Sequence, residues 1–225
     1  MEIITSLAPN VAANWDEFII SIIETVYMLA VSGFFSIILG LIFGVILVTT
    51  GPGKIYENKI VHQTLSAFTN VFRSIPFVIL IAVLTGLTRV ISGTIIGAEG
   101  VIFPLIVACT PFFIRQVDLS LSEVDSGLIE AAQSMGLSRL QIIWKVYLRE
   151  SIPSIFRSIS ITLISLLGLS ASGAVVGGGG LASFVIRYGH GRSMADVTWV
   201  GVIVILVIVF VIQIVCDIII KKTTH

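Results

Sequence analysis

The stretch that decides the fold of this chain runs from residue 130 to residue 136 and reads Glu130-Ala131-Ala132-Gln133-Ser134-Met135-Gly136. It predicts a short helix that stops abruptly, because Gly136 suits the left-handed turn that ends a helix. Ser138 is then a good N-cap, and Gln141, three residues later, completes a capping box for a second helix. The pair lies in a polar segment, residues 118–153, between long apolar runs. A compact, capped protrusion from such a chain is most simply a docking element for a soluble partner.

The composition places the chain in a lipid bilayer. Of its 225 residues, 56% are hydrophobic and 12% are charged, and the mean hydropathy is +1.08. A soluble domain carries about 25% charged residues. The chain is too short to add a separate soluble enzyme domain, and its net charge of zero argues against a nucleic-acid partner. Cys109 and Cys216 lie in apolar runs and are expected to be small buried hydrophobes.

Windows without charged residues locate the membrane spans. Residues 25–53, 158–186 and 197–216 hold 29, 29 and 20 uncharged positions. Each window exceeds the ~18–20 residues needed to cross the hydrocarbon core. Two further windows, 74–88 and 100–114, hold 15 residues each and reach spanning length only with their polar flanks.

These two shorter spans carry prolines and arginines, namely Arg73, Pro76, Pro104, Pro111 and Arg115. Prolines inside a span need neighbouring helices to satisfy the backbone, so both spans are expected to lie inside a bundle. Arg73 and Arg115 are expected to reach the membrane surface by snorkelling. The sequence thus predicts an all-α integral membrane protein of one domain, 1–225, with five transmembrane helices at roughly 20–49, 63–89, 98–117, 155–177 and 197–220.

The distribution of basic residues predicts the orientation. Five spans put the termini on opposite sides, and an outside N-terminus leaves 10 of the 13 basic residues on inside segments. The positive-inside rule therefore favours an external N-terminus and a cytoplasmic C-terminus. The same orientation places the polar segment 118–153 in the cytoplasm. The N-terminus lacks the basic region of a cleaved signal peptide, so the first apolar run is expected to be retained.

Local motifs for catalysis are missing from the sequence. Gly51-Pro52-Gly53-Lys54 lacks the spacing of a phosphate-binding P-loop. His62, His190 and His225 show no metal-ligand spacing. We therefore expect no catalytic residue, metal or cofactor in this chain, and any energy source must come from another chain.

Glu130-Ala131-Ala132, followed after three residues by Gly136, resembles the EAA loop of ABC-importer permeases. Two other stretches look like the methionine-importer permeases in particular, namely Arg73-Ser74-Ile75-Pro76 and Ile186-Arg187-Tyr188-Gly189. The resemblance covers about residue 15 to 220. It departs from the family at Arg149, where the family pattern has a proline; Pro153 follows four residues later.

The resemblance implies a permease subunit in the bacterial cytoplasmic (inner) membrane, crossing it several times. It implies a homodimer with the pathway between two copies, two ATP-binding subunits that hold ATP and Mg, and an extracellular substrate-binding protein. The implied substrate is methionine, including D-methionine and close analogues. The residues implied to couple to the ATPase are Glu130, Ala131, Ala132, Gly136 and Ser138.

A block of small residues in the fourth span is a candidate for the pore or the dimer interface, namely Gly168, Ser170, Ala171, Ser172 and Gly173. Small side chains allow helices in lipid to approach closely. The tetraglycine run at 177–180 is either a flexible external loop or a place of close chain packing. The fifth span, almost wholly Val and Ile, is expected to face lipid.

One stripe and three function classes stay open. Leu140, Ile143, Trp144 and Tyr147 form a helical stripe that either contacts a partner or packs back on the spans.

An ATPase-independent channel would need no capped protrusion, and a secondary transporter usually shows repeats and acidic residues within its spans. Within the importer class, another amino acid or small organic solute is the alternative substrate.

Overall fold

The computed structural model describes residues 6–223, and all their regular secondary structure is helical. The first part of the chain forms α1 (Pro9–Ala13), α2 (Trp15–Thr49), α3 (Lys59–Ser74), α4 (Phe77–Ser92) and α5 (Gly97–Ser122). The second part forms α6 (Ser126–Ser134), α7 (Arg139–Ile142), α8 (Leu148–Glu150), α9 (Ile152–Gly173), α10 (Gly180–Phe184) and α11 (Ala195–Thr223). π-helical turns follow α7 and α10, at Ile143–Tyr147 and Val185–His190, and a 3-10 turn, Ala174–Val176, follows α9.

Four helices of the described chain are long and apolar enough to cross a membrane, and a bent pair allows a fifth span. The four are α2, α5, α9 with its 3-10 turn, and α11. The bent pair is α3 and α4, where one helix over 63–89 was expected. Pro76 explains the break, because proline lacks an N–H donor and keeps the residue before it out of the helical region. The count of five spans stays a prediction.

The described chain divides into two compact units. Of the described residues, the first unit comprises 6–34, 75–108 and 163–212, and the second comprises 35–74, 109–162 and 213–223. The expectation of a single permease domain over 1–225 stays a prediction.

Aromatic packing builds the core of the first unit. The ring of Phe184 lies 5.6 Å from that of Phe18 and 4.8 Å from that of Tyr188. Leu181 and Val197 are fully buried in the same cluster. The N-terminal α1 is tied to α11, because the backbone N–H and side-chain amide of Asn10 both donate to the Asp196 carboxylate at 2.9 Å.

The core of the second unit joins a membrane helix to the polar segment. Val117 and Leu121 of α5 pack with Ile129 of α6 and Ile142 of α7. Two glycines of α2, Gly40 and Gly44, bring α5 close: an added Cβ would lie 2.6 Å from Phe113 and 2.6 Å from Val117, respectively. The polar segment is therefore anchored to the membrane helix before it.

The last helix, α11, exposes most of its apolar side chains: only 6% of its most apolar window is buried. Val207 and Phe210 are among its exposed residues. This exposure fits the expected lipid-facing position. Val204 differs, because it is partly buried and packs against the core of the first unit.

Candidate functional site

The turn around Gly136 is built by backbone and cap hydrogen bonds. The Asp125 carboxylate caps α6 by accepting from the Gly127 N–H at 2.7 Å. At the other end, the Leu137 N–H donates to the Ala132 carbonyl at 3.1 Å. Gly136 lies in the left-handed region with φ 78°, as its glycine predicted.

The capping box of the second short helix is confirmed. The Ser138 hydroxyl accepts from the Gln141 N–H at 3.4 Å, and the Gln141 side chain accepts from the Ser138 N–H at 2.8 Å. Each bond satisfies an N–H that a helix start leaves without a partner. The sequence therefore defines both sides of this turn locally.

The five predicted coupling residues do not share one surface. Glu130, Ala131, Gly136 and Ser138 are exposed. Ala132 is only 2% exposed and packs in the core of the second unit. The coupling role of Ala132 stays a prediction; within the described chain its small side chain lets α6 pack against the rest of the unit.

The stripe predicted on the second helix is split by the π-helical turn Ile143–Tyr147. Ile143 and Tyr147 are buried, whereas Leu140 is exposed and Trp144 is 70% exposed. A π turn adds a residue per turn, so residues spaced for one face of an α-helix separate onto two faces. The sequence argument left both readings open, and each holds for half of the stripe.

Sequence reasoning missed two exposed apolar side chains of the polar segment, Leu128 and Met135, and left the exposure of Leu140 and Trp144 open. Met135 and Leu128 are exposed, and with Leu140 and Trp144 they place four large apolar side chains on the polar segment. Exposed apolar side chains that form one patch are typical of a contact surface, so these four are candidates for contact with a partner. The signal available in the sequence was the presence of these apolar residues in an otherwise polar segment.

Tyr147 holds an unusual position beneath this surface. It is 1% exposed, and its hydroxyl has no hydrogen-bond partner within residues 6–223. Burial raises the pKa of the Tyr147 phenol, so the group stays neutral. The ring stabilises the fold by packing, whereas burial of the hydroxyl without a hydrogen-bond partner lowers the free energy of unfolding.

The small-residue block of α9 is also split. Ser170 and Gly173 are buried, and an added Cβ at Gly173 would lie 2.9 Å from a Val101 methyl. Gly168 is exposed, and an added Cβ there would meet nothing within 4 Å. Ala171 and Ser172 are half-buried. The open part of the face is therefore centred on Gly168, not on Gly173.

The tetraglycine run after α9 forms a hydrogen-bonded turn. Gly177, Gly179 and Gly180 have φ of 84°, 70° and 74°. The Gly178 N–H donates to the Gly173 carbonyl at 3.0 Å, and the Gly97 N–H donates to the Gly177 carbonyl at 2.8 Å. Glycine is required here because other residues rarely adopt these angles.

Glu24, on α2, contacts this turn. Its carboxylate accepts from the Gly180 N–H at 2.6 Å, and the Thr25 hydroxyl accepts from the Leu181 N–H at 2.8 Å. The partners are 156 residues apart in each case, so no local pattern could have indicated the pairing.

Residues 36–225 match the family described as "Binding-protein-dependent transport system inner membrane component". The chain belongs to this family. The resemblance to ABC-importer permeases is confirmed, and the permease is a multi-pass protein of the inner membrane.

The relatives of the permease include methionine transporters. The "Probable D-methionine transport system permease protein MetI" of Pasteurella multocida (strain Pm70) is 41% identical over 211 residues, covering 94% of this chain and 97% of that protein. The "Methionine import system permease protein MetP" of Bacillus subtilis (strain 168) is 42% identical over 174 residues, covering 77% of this chain and 78% of that protein.

A solved structure of the "MetNI methionine ABC transporter" in inward-facing conformations contains a similar chain. The TM-score is 0.91 at 41% sequence identity, and the match covers 95% of the permease and 99% of that chain. The resemblance to methionine-importer permeases in particular is thereby confirmed.

The arginines of the permease occupy defined positions. Arg115 forms an ion pair with Asp118 at 2.8 Å, and the Arg73 guanidinium lies 5.9 Å from the centre of the Phe112 ring. Arg149, where the family pattern has proline, is exposed on α8. Pro153 instead lies in the first turn of α9, where its missing N–H costs no helical hydrogen bond.

Proposed function

We propose that the permease forms the pathway of an ATP-driven importer for methionine, including D-methionine and close analogues. The names of the relatives MetI and MetP and the match to the methionine transporter support this substrate. An importer for another amino acid or small organic solute is the alternative. The coupling loop carries the proposal, because a channel would have no use for a capped apolar surface beside Glu130.

The coupling surface comprises Glu130, Ala131, Met135, Leu140 and Trp144, and its partner is an ATP-binding subunit. The two short helices hold these side chains on a rigid, capped scaffold. Below it, Ala132, Ile142 and Tyr147 pack in the core that also contains α5 residues. Movement of the ATP-binding subunit is thus passed to a membrane helix by packing rather than by a flexible linker.

The assembly contains two copies of the permease, two ATP-binding subunits with ATP and Mg, and an extracellular substrate-binding protein. ATP closes the ATP-binding pair, which moves both coupling surfaces and turns the pathway outward; hydrolysis resets it inward. ATP and Mg bind to the ATP-binding subunits rather than to the permease.

Methionine uptake tests the proposal. Cells that lack their own methionine importer would express the permease with its ATP-binding and substrate-binding partners, and uptake of labelled L- and D-methionine would be measured. We expect uptake that unlabelled methionine suppresses and that excess leucine or histidine leaves unchanged. A hydrolysis-deficient ATP-binding partner is the control and should abolish it. Uptake that persists with this partner would indicate a channel, and competition by another solute would indicate the alternative substrate.

The orientation has its own test. With the N-terminus outside, a membrane-impermeant thiol reagent should label Leu7→Cys in whole cells and should label Lys222→Cys only after lysis. Both positions are exposed, and the native Cys109 and Cys216 are buried, so the parent chain serves as the unlabelled control. The reverse pattern would remove the coupling loop from the cytoplasm.

A further inference from the structure

The contact between Glu24 and the tetraglycine turn satisfies the backbone N–H of Gly180. Gly180 begins α10, so its N–H has no partner within that helix. In a membrane, backbone outside a regular helix is tolerated only where protein groups satisfy it. The Glu24 carboxylate accepts this N–H at 2.6 Å, and the Thr25 hydroxyl accepts the next one at 2.8 Å.

The other charged group nearby does not compete for Glu24. Glu24 and Arg187 line one recess of about 460 Å³ together with Glu17. Arg187 forms its ion pair with Glu17, and the Tyr188 hydroxyl also donates to Glu17, at 2.5 Å. Within residues 6–223, the recorded partner of the Glu24 carboxylate is the Gly180 N–H. Its role therefore depends on reaching that backbone group rather than on pairing with a cation.

The turn held by Glu24 also determines where the small-residue face of α9 ends. It bonds back to Gly173 and to the start of α5 through the two backbone hydrogen bonds already described. The space beside Gly179 and Gly180 is tight: an added Cβ would lie 2.8 Å from Glu24 at the first glycine and 2.7 Å from Met28 at the second. A side chain at either glycine would therefore clash with α2.

The same two glycines separate recesses of opposite character. The 460 Å³ recess contains Glu17, Glu24 and Arg187. A second recess of about 240 Å³ is lined mainly by apolar groups, with Met28, Leu167 and Leu181 among them, and it also contains Gly168, Ser170 and Ala171. Gly179 and Gly180 belong to both linings. Gly179 and Gly180 of the turn therefore lie between the recess that contains the charged groups and the recess that contains Gly168, Ser170 and Ala171.

We propose that Glu24 is a positioning residue for transport: its hydrogen bond to the Gly180 N–H holds the tetraglycine turn in place and so sets the position of the Gly168–Ala171 part of α9. Thr25 assists through Leu181. The inference rests on the proposed function, because the face that Glu24 positions is the proposed pathway or dimer surface.

Two substitutions of Glu24 distinguish the effect of side-chain length from the effect of charge. Glu24→Gln keeps a side-chain oxygen acceptor at the same distance but removes the charge. Glu24→Asp keeps the charge but shortens the side chain by about 1.5 Å, one carbon–carbon bond. Positioning predicts that Gln is tolerated and Asp is not, whereas a role for the charge in recognising a substrate ammonium predicts the opposite order.

The readout is methionine uptake per assembled complex as a function of methionine concentration. We expect Glu24→Gln to stay within about threefold of the parent maximum, and Glu24→Asp to lose about tenfold, the scale of one hydrogen bond to a charged group. The half-saturating concentration should stay unchanged, because the turn positions the pathway and does not bind the substrate. Glu99→Gln, at an exposed acidic position, is the matched control and should behave as the parent.

Hydrogen–deuterium exchange of residues 177–184 in the purified complex gives a readout that does not depend on the substrate. Exchange should rise in Glu24→Asp and stay at the parent level in Glu24→Gln. If Glu24→Asp fails to assemble, Thr25→Val against Thr25→Ser makes the same comparison, with Val expected to raise exchange and lower uptake.

The inference would be overturned if Glu24→Gln and Glu24→Asp showed equal uptake and exchange, or if Glu24→Asp took up more methionine than Glu24→Gln. If Glu24→Asp does not assemble, parent-like uptake and exchange in Thr25→Val would overturn it. A parent chain that takes up no methionine would overturn the proposed function instead, and the exchange measurement would still decide the role of Glu24.

Discussion

Glycines of the permease serve different ends at the level of single residues. Gly136 needs its left-handed φ of 78° and has open space around it. Gly173 has helical neighbours and needs the absence of a side chain, because Val101 lies against it. Gly168 needs neither within its own chain. Glycine is therefore found in a left-handed turn at Gly136, in a close packing contact at Gly173 and on an exposed surface at Gly168.

Gly136→Val should uncouple transport from ATP hydrolysis without preventing membrane insertion. A β-branched residue in the left-handed region costs roughly 1–2 kcal/mol, and the open space means that the backbone alone is affected. We expect uptake per complex to fall severalfold, whereas Gly136→Asn should retain it, since Asn tolerates this conformation.

Gly86→Ala is the space-matched control, because an added Cβ there also meets nothing within 4 Å and the residue lies inside α4. Full ATP-driven uptake by Gly136→Val would contradict the coupling role of the turn.

At the level of elements, the π-helical turn gives the second coupling helix two functions. It directs Ile143 and Tyr147 into the core and leaves Leu140 and Trp144 on the surface. π turns occur often at functional sites, since they turn selected side chains away from the regular helical face. One short segment thus anchors the loop and presents its contact surface.

Substitutions in this turn should separate stability from partner binding. Tyr147→Ala should lower the free energy of unfolding by roughly 3–5 kcal/mol, the range for large aromatics in a core. Tyr147→Phe should be neutral or stabilising, because it removes a buried hydroxyl without a partner in the described chain.

Trp144→Ala should leave unfolding unchanged and weaken binding of the ATP-binding subunit by about 2 kcal/mol, as for an aromatic hot spot. Thermal unfolding and titration of the ATP-binding subunit against the purified permease measure the two effects. Parent-like binding by Trp144→Ala would exclude this side chain from the coupling surface.

At the scale of the whole molecule, the surface of one copy indicates where a second copy could pack. The exposed part of α9 carries Gly168, where closely approaching helices are favoured. The exposed part of α11 carries Val207 among other large apolar residues suited to lipid. The Gly168 face is therefore the better candidate for the pathway or the contact between copies.

Leucine at these two positions tests the assignment. Gly168→Leu meets no atom of its own chain at Cβ, so the first atom of the new side chain causes no clash within one copy. We expect it to block uptake or weaken the dimer, measured by uptake and by size in detergent, while Val207→Leu behaves as the parent. Gly173→Leu is unsuitable, since its clash with Val101 would disturb folding. Equal tolerance at Gly168 and Val207 would move the interface to another helix.

The sequence by itself determined the features that depend on neighbours along the chain. Long uncharged windows indicated helices that suit a membrane, and the Ser138–Gln141 spacing indicated the capping box that the structure contains. Gly136 indicated its own left-handed turn. Each of these signals is local, because hydropathy and cap chemistry act over one span or one turn.

Only the tertiary structure decided which side chains meet across the chain. It placed Ala132 in the core of the second unit while Glu130 and Ala131 stay exposed, and it separated the exposed Gly168 from the buried Gly173 on one helix. It also brought Glu24 to Gly180 across 156 residues. The physical reason is that the rotation of a helix and its distance from its neighbours follow from the packing of all the helices, and no local run of residues specifies them.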